Sequence, residues 1–342
     1  MDQIKKNKSM FIGLTFGVLY GLSIRILWGL EGMKNIGGLV TFSFMFLVPF
    51  AVGFIRVHYE CKAKGVISFG KMIVIAWQPI FVFILITAIL LLEGSVCIVM
   101  ALPLFMLLAS LGGLAAGGIY RITSKKKNGT LISVALLPLL IAPLEVNFIH
   151  TSKVYQVENS IEINATPDVV WKQLANVRTI EKSELSFSLT ALIGVPRPIE
   201  ANMNAEGVGA VRTSKWDKGV VFKEIITDWT PSKRMAYAFD IDPEAIPDDV
   251  LDQHVKLGGE YFSPIVGEYL ITNGRSGNTI LHLKTTLRDN TNFGIYSRIW
   301  GEIIFQDFHI SLLKLMKHRS EASVSKNPLQ HVAWEAKPNK SI

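Results

Sequence analysis

Cysteine is scarce in this chain, and the second half has none. The 342 residues include two cysteines, Cys61 and Cys97, so a disulfide framework after residue 150 is excluded. No group of His, Cys, Asp or Glu has metal-ligand spacing. A Gly-rich phosphate loop, a nucleophile elbow and a Ser-His-Asp arrangement are also missing. The motifs therefore predict no catalytic residue, no metal and no cofactor.

The second half of the chain has no net positive charge, which a nucleic-acid partner would need. The formal net charge is +7, but residues 1–149 hold 13 of the 35 Lys/Arg and only 5 of the 28 Asp/Glu. The later residues are therefore almost balanced in charge. Because DNA and RNA binding needs a basic patch or stripe, we predict no nucleic-acid partner.

Long apolar runs dominate the first half. Five of them reach about 18 residues or more, which is enough to cross a hydrocarbon core of about 30 Å as a helix. They cover residues 10–30, 38–55, 72–92, 95–120 and 131–149. None alternates between apolar and polar residues, so they predict helices rather than barrel strands. Residues 1–150 are thus predicted to form a bundle of five transmembrane helices.

The basic residues predict how this bundle is oriented. Lys and Arg cluster before the first run, between the second and third, and between the fourth and fifth, whereas the other two connections carry only Lys34. Segments rich in Lys and Arg stay in the cytoplasm. We therefore expect an integral protein of the cell membrane with a cytoplasmic N-terminus and an extracytoplasmic C-terminal domain. The first run is too long for a cleaved signal peptide.

Small and ionisable residues inside the runs suggest contacts between helices. Gly13, Gly17 and Gly21 share one helix face, which allows close packing within the chain or, alternatively, a homo-oligomer seam. Arg25 and Glu145 lie at comparable depths near the outer ends of their runs. They are candidates for an ion pair in the membrane, although Arg25 can instead extend to water.

Residues 151–320 have the pattern of a separate α+β domain. A strand at 154–164 precedes two short helices, the second at about 178–189, and a loop at 191–207. Alternating segments separated by turn residues then predict a run of antiparallel strands. A long helix follows at about 293–317. Residues 321–342 are polar and are predicted to be a disordered tail.

Three segments of this domain resemble a known superfamily. They are IEINATPDVVWKQLANV, GVGAVRTSKWDKGVVFKEIITDWTPSKRMAYAF and GEYLITNGRSGNTILHLKTTL. Residues 154–318 are similar to the SRPBCC, or START-like, superfamily, which includes the polyketide cyclase/dehydrase and lipid-transport group. The resemblance implies a helix-grip fold, in which a curved antiparallel sheet wraps around the C-terminal helix and leaves an apolar cavity. It implies no particular activity, because the superfamily shares no catalytic motif.

Strand alternation gives one wall of such a cavity. Met235, Tyr237 and Phe239 fall on one face of their strand, and Leu283 and Thr285 on one face of the last strand. We predict that these five side chains face the helix. By the same alternation, the side chain of His282 points to solvent.

Helical periodicity gives the opposite wall. At 100° per residue the apolar stripe of the long helix contains Trp300, Ile303, Ile304, Asp307 and Ser311, and the other side contains Arg298, Glu302 and His309. Asp307 is then a buried carboxylate, which needs a partner or a proton. It is a candidate anchor for a ligand or a candidate general acid. The alternative is a structural hydrogen bond to Tyr237, to another sheet residue or to the backbone.

Three functions remain open from the sequence. The first is a membrane-anchored protein that binds a lipid or another apolar small molecule in the cavity. The second is an enzyme of the cyclase/dehydratase type that uses Asp307 as acid or base. The third is a sensing or assembly protein without a ligand. The lipid bilayer and an apolar small molecule are the partners that the sequence predicts.

Overall fold

The computed structural model describes residues 2–33, 38–123, 128–148, 152–247, 250–251, 256–274 and 277–326. The chain divides into two compact units. The helical unit comprises Met1–Ser152 with Asn290–Gly294, and the sheet unit comprises Lys153–Asp289 with Ile295–Ile342. The part of the predicted tail beyond residue 326 lies outside the described residues.

Five apolar helices form the helical unit, as predicted. They are α1 (Asp2–Trp28), α2 (Val48–Lys64), α3 (Phe69–Ile89), α4 (Ser95–Thr123) and α5 (Asn128–Phe148). All five are long and apolar enough to cross a membrane. A π-helical turn, Ser43–Leu47, precedes α2. α2 is the most buried of the five, so the others pack around it.

α2 differs from its predicted span at both ends. The apolar segment runs from Ser43 to Lys64 rather than over residues 38–55. The hydropathy pattern missed the last part because Arg56 and Glu60 interrupt it. Both are buried, and they form an ion pair of 2.8 Å one helical turn apart. Gln78 of α3 accepts two further hydrogen bonds from the Arg56 guanidinium, so the charge is fully partnered inside the bundle.

The glycine face of α1 is used within the chain. Gly13 lies against Tyr59, Gly17 against Pro79 and Gly21 against Phe83. A Cβ atom on Gly13 would lie only 2.6 Å from Tyr59 Cβ, so the close approach to α2 requires a residue without a side chain. Of the alternatives above, the structure thus supports packing between helices of one chain.

The predicted pair of Arg25 and Glu145 is wrong. Arg25 forms its ion pair with Glu93 and also donates to Leu92 O. The Glu145 carboxylate instead accepts hydrogen bonds from Phe42 N and from the backbone N (2.8 Å) and Oγ (2.9 Å) of Ser43. Free backbone N–H groups at the start of a helical turn attract a carboxylate. Arg25 and Glu145 therefore each have a partner that is close in space but distant in sequence, which the sequence pattern does not reveal.

Seven antiparallel strands and one long helix form the core of the sheet unit. The strands are β1 (Lys153–Ile163), β2 (Pro198–Met203), β3 (Val211–Trp216), β4 (Val221–Thr230), β5 (Arg234–Asp240), β6 (Phe262–Asn273) and β7 (Thr279–Asp289). Their order in the sheet is β1-β7-β6-β5-β4-β3-β2. The helices are α6 (Pro167–Ala175), the single turn α7 (Leu189–Leu192) and α8 (Gly294–Lys326).

Residue alternation explains why the sheet has one buried face. In β7, Leu281, Leu283, Thr285 and Leu287 are buried, whereas the residues between them are not. His282 is one of these outward residues, as predicted. Inward side chains of the sheet pack on α6 and α8 in the main apolar core, and Leu287 packs on Phe305 of α8 in a smaller cluster. This is the helix-grip arrangement that the sequence resemblance implied.

Three elements differ from their predictions. The second short helix, expected at about 178–189, is absent; the structure has a 3-10 turn at Lys182–Glu184 and then α7. β2 lies within the predicted loop at 191–207, where it pairs with β3. α8 includes residues up to Lys326, so residues 321–326 belong to the helix and not to the tail. The sequence around these elements lacks the strong periodicity on which such predictions depend.

Candidate functional site

A cavity of about 100 Å³ lies between the sheet and α8. The helix contributes Ile304, Phe305, Phe308, Leu312 and Met316 to its wall. Side chains from β2 to β7 and from the segment that precedes β2 form the rest. Most of this wall is apolar, and Trp216 stacks on Phe308 with ring centroids 4.9 Å apart. The cavity therefore suits an apolar molecule or an apolar part of one.

Part of the cavity wall is charged. Arg212 of β3 and Glu224 of β4 are directly opposite each other in the strand register, and both are almost completely buried. They form an ion pair of 2.5 Å. Ser214 Oγ donates to Glu224 Oε1 at 2.7 Å, and Arg212 Nη1 donates to Leu174 O at 2.9 Å. The two charges are thus compensated inside the protein.

Two tyrosines surround the guanidinium group of Arg212. Its Cζ lies 4.9 Å from the ring centroid of Tyr237 and 5.7 Å from that of Tyr269, which is cation–π distance. Burial raises the pKa of Tyr237 well above its usual value, and the nearby charge of Glu224 acts in the same direction. Burial also raises the pKa of Tyr269. Both hydroxyls therefore keep their protons, so this part of the wall presents hydroxyls, a cation and a carboxylate to the cavity.

The cavity volume limits what can bind. An apolar cavity of about 150 Å³ holds benzene, whereas sites for drug-sized ligands measure about 300–1,000 Å³. A volume of about 100 Å³ is below both. A short acyl segment fits this scale, and a complete sterol does not. In this conformation the site thus favours a small ligand with one polar group.

Five of the predicted cavity residues line the cavity. They are Tyr237, Phe239, Leu283, Thr285 and Ile304. The other five do not line it. Met235 is in the core, Ser311 is buried elsewhere, Trp300 is half-buried, and Ile303 and Asp307 are on the outer side of α8. Strand alternation therefore located the sheet wall, while helical periodicity mostly failed for α8.

The prediction for α8 was wrong because its apolar residues lie on more than one face. The buried face contains Gly301, Phe305, His309 and Leu313, and it is rotated away from the predicted stripe. Four isoleucines remain exposed on other faces. When a helix is apolar on several sides, its periodicity does not identify the buried one.

Asp307 is consequently not a buried carboxylate in the cavity. It accepts hydrogen bonds from Ser188 Oγ (2.7 Å), from Thr190 N (2.9 Å) and Oγ1 (2.7 Å), and from Leu189 N (3.2 Å). Partial burial acts to raise its pKa, but these hydrogen bonds hold the pKa below its usual value. Asp307 is thus an ionised residue that fixes the α7 turn on α8. This geometry does not support the general-acid alternative.

His309 was predicted to lie opposite the apolar stripe of the helix, and its burial contradicts that prediction. Its side chain is fully buried beside the cavity wall. Nε2 is hydrogen-bonded with Thr285 Oγ1 at 2.8 Å, and Nδ1 with Asn159 Oδ1 at 3.1 Å. Burial lowers the pKa of His309 to about 4. The imidazole is therefore neutral at physiological pH and links α8 to β1 and β7.

This burial predicts a loss of stability in acid. The unfolded chain takes up a proton near pH 6.5, whereas folded His309 takes it up only near pH 4. The contribution of neutral His309 to the free energy of unfolding is therefore fully present above about pH 6.5. As the pH falls from 6.5 to 4, this free energy decreases by up to about 1.4 kcal/mol per pH unit, which is about 3 kcal/mol in all. Urea unfolding at several pH values measures this slope. His309→Gln should flatten it, whereas the same change at the partly exposed His282 should not. An unchanged slope in His309→Gln contradicts the prediction.

Arg212, Ser214 and Glu224 were missed by the sequence analysis, although a signal was present. Glu224 has the same alternation parity as Phe222 and Ile226, which are buried. Extending the alternation argument to β4 places this carboxylate on the inner face. The opposite charge of Arg212 in the preceding strand would then have suggested a cross-strand pair.

Comparisons with known proteins concern the sheet unit. No family model matches the chain, and no curated protein matches it significantly. A protein of unknown function from Staphylococcus aureus is similar in structure, with 13% identity over 51% of this chain and 98% of that chain and a TM-score of 0.33. At this level of identity the similarity concerns the fold alone.

Two further similar structures are those of named enzymes. The Zhui aromatase/cyclase from Streptomyces sp. R1128 has 16% identity over 50% of this chain and 96% of its own, with a TM-score of 0.33. Truncated norcoclaurine synthase from Thalictrum flavum has 14% identity over 51% and 94%, with a TM-score of 0.30. The fold is helix-grip. Its strand order and the position of α8 agree with the resemblance to the SRPBCC superfamily.

Proposed function

We propose that this protein is a membrane-anchored helix-grip protein that binds a small apolar molecule. The observation that carries the proposal is the cavity itself, whose wall is mostly aromatic and aliphatic and contains a buried ion pair. Ligand sites commonly combine such walls with a few fixed polar groups. A ligand with a hydroxyl or carbonyl group can direct it to Arg212 and the tyrosines, while its apolar part contacts Phe308 and Leu312.

The anchor in this proposal is the helical unit. Five helices have the length and composition needed to cross a membrane. The distribution of Lys and Arg supports a cytoplasmic N-terminus and an extracytoplasmic sheet unit. α5 ends at Phe148 and β1 begins at Lys153. The four residues between them reach at most about 18 Å, so the sheet unit stays close to the lipid surface.

Native mass spectrometry of the full-length protein tests the binding. The protein is reconstituted in nanodiscs and incubated with a panel of single-ring phenols, short fatty acids and a sterol. We expect retention of small members and no retention of the sterol, because the cavity measures about 100 Å³. Leu312→Trp fills the cavity and should reduce retention at least about tenfold, equivalent to about 1.4 kcal/mol.

Val221→Trp is the matched control, because Val221 is exposed on β4. It adds the same side chain outside the cavity and should leave retention unchanged. Equal retention by both variants would show that the molecules bind elsewhere. If the unmodified protein retains nothing from the panel, the ligand-binding proposal is wrong.

A further inference from the structure

The sheet unit has an apolar surface that its own core does not use. Ile295, Ile299, Ile303 and Ile310 are exposed on α8, with Ile295 81% exposed. Their spacing of four, four and seven residues places them along one side of the helix. The adjacent turn exposes Phe187 (80%), Leu189 (40%) and Leu192 (70%). We call these seven residues the isoleucine patch.

Asp307 joins the two parts of the isoleucine patch. It lies on α8 between Ile303 and Ile310, and its carboxylate accepts hydrogen bonds from Ser188, Leu189 and Thr190. The turn that carries Phe187 and Leu192 is therefore fixed beside the isoleucines. Several charge-assisted hydrogen bonds maintain this arrangement, so the exposed apolar residues form a defined surface rather than a loose loop.

Contiguous exposed apolar surface is unusual for a soluble protein and marks a contact with another apolar phase. Three features indicate a bilayer as that phase. The patch begins at Ile295, directly after Asn290–Gly294, a segment that groups with the helical unit. The chain between Phe148 and Lys153 keeps the sheet unit near lipid. An exposed basic side chain, Lys314, lies on the same helix and suits an anionic lipid headgroup.

We propose that the isoleucine patch rests in the interfacial region of the bilayer to which the chain is anchored. The isoleucines, Phe187 and Leu192 enter the boundary between headgroups and acyl chains, as the apolar face of an interfacial helix does. The segment that carries Leu192 continues into Val195 and Pro198, which line the cavity. One edge of the cavity is thereby next to lipid. This inference relies on the membrane-anchored part of the proposed function.

Depth-dependent quenching in the full-length protein tests the inference. Leu192→Cys is made in a Cys61→Ala, Cys97→Ser background and labelled with the fluorophore NBD. The protein is reconstituted in vesicles of phosphatidylcholine and phosphatidylglycerol that contain a lipid with a nitroxide on its acyl chain. If Leu192 lies in the interface, the label emits at shorter wavelength and loses at least half of its fluorescence. Val221→Cys, an exposed position on the sheet, is the matched control and should not be quenched.

A second variant tests the patch as a unit. Phe187→Asp together with Ile303→Asp adds charge to exposed positions, so folding should be preserved while quenching at position 192 decreases several-fold. Unchanged quenching in this variant would overturn the proposal. The proposal is also overturned if the labels at positions 192 and 221 are both unquenched in protein that floats with the vesicles. That result would still agree with the membrane anchor. Protein that does not float with the vesicles refutes the anchor itself. A disulfide between two copies of the Leu192→Cys variant, without lipid quenching, assigns the patch to a second copy and also overturns the proposal.

Discussion

Glu224→Gln is expected to destabilise the sheet unit by about 3–5 kcal/mol, although it changes the shape of the side chain very little. The substitution leaves the Arg212 cation almost completely buried without its counter-charge. Breaking one partner of a buried pair costs this much because the remaining charge stays desolvated. In the native protein the Glu224 charge holds the pKa of Arg212 above its usual range, against the effect of burial. In the variant the guanidinium group stays charged because arginine keeps its proton in proteins.

Urea unfolding of the full-length protein in detergent micelles, followed by tryptophan fluorescence, measures this effect. Glu268→Gln is the matched control, because Glu268 pairs with the half-exposed Arg234 on the same sheet. Exposed pairs contribute about 1 kcal/mol or less. A double variant, Arg212→Met with Glu224→Leu, should recover most of the lost stability. A loss below about 1 kcal/mol in Glu224→Gln would mean that water reaches the pair.

The sheet could be predicted from the sequence because strand alternation has only two outcomes. Once Met235 and Tyr237 were assigned to the inner face, the orientation of the whole strand followed. The same argument placed Leu283, Thr285 and His282 correctly. The position of β2 was not predictable in this way, since Pro198–Met203 is short, at the edge of the sheet and half-exposed on both faces.

The helix side of the cavity could not be predicted for a different reason. α8 has apolar residues around most of its circumference, and the rotation of a helix is fixed by what packs on it. The isoleucines formed as good a stripe as Phe305 and Leu313, which are the buried residues. Asp307 and Glu145 accept hydrogen bonds from backbone N–H groups, and Arg25 pairs with Glu93 and Leu92 O. All these partners are distant in sequence, so no spacing rule reveals them.

Trp171→Ala is expected to destabilise the sheet unit by about 3–5 kcal/mol. Trp171 of α6 is in the apolar core, and its ring lies edge-on to Trp229 with centroids 4.8 Å apart. Truncation of a buried tryptophan removes this contact and leaves a cavity. We also expect residues 152–326 to fold without the helical unit, because they have a core of their own. Urea unfolding of this fragment, with and without Trp171→Ala, gives the two free energies of unfolding to be compared.

Trp300→Ala is the comparison for this prediction. Trp300 is half-buried on α8 and is not part of the core cluster, so its truncation should cost less than half as much. Equal losses would show that the core extends to Trp300. If the fragment 152–326 remains unfolded in all conditions, the sheet unit needs the helical unit to fold, and the expectation of independence is wrong.

The pairing of β1 with β7 determines when the sheet can close during synthesis. β1 is the first strand to be made and lies at one edge of the sheet, where its neighbour is the last strand, with Lys153 opposite Asp289. The other neighbours in the sheet follow each other in sequence. At the usual translation rate of about 5–20 residues per second, β1 waits on the order of ten seconds for its partner. Contacts of such long sequence separation also fold slowly. The five apolar helices precede β1, so they leave the ribosome well before the sheet is complete.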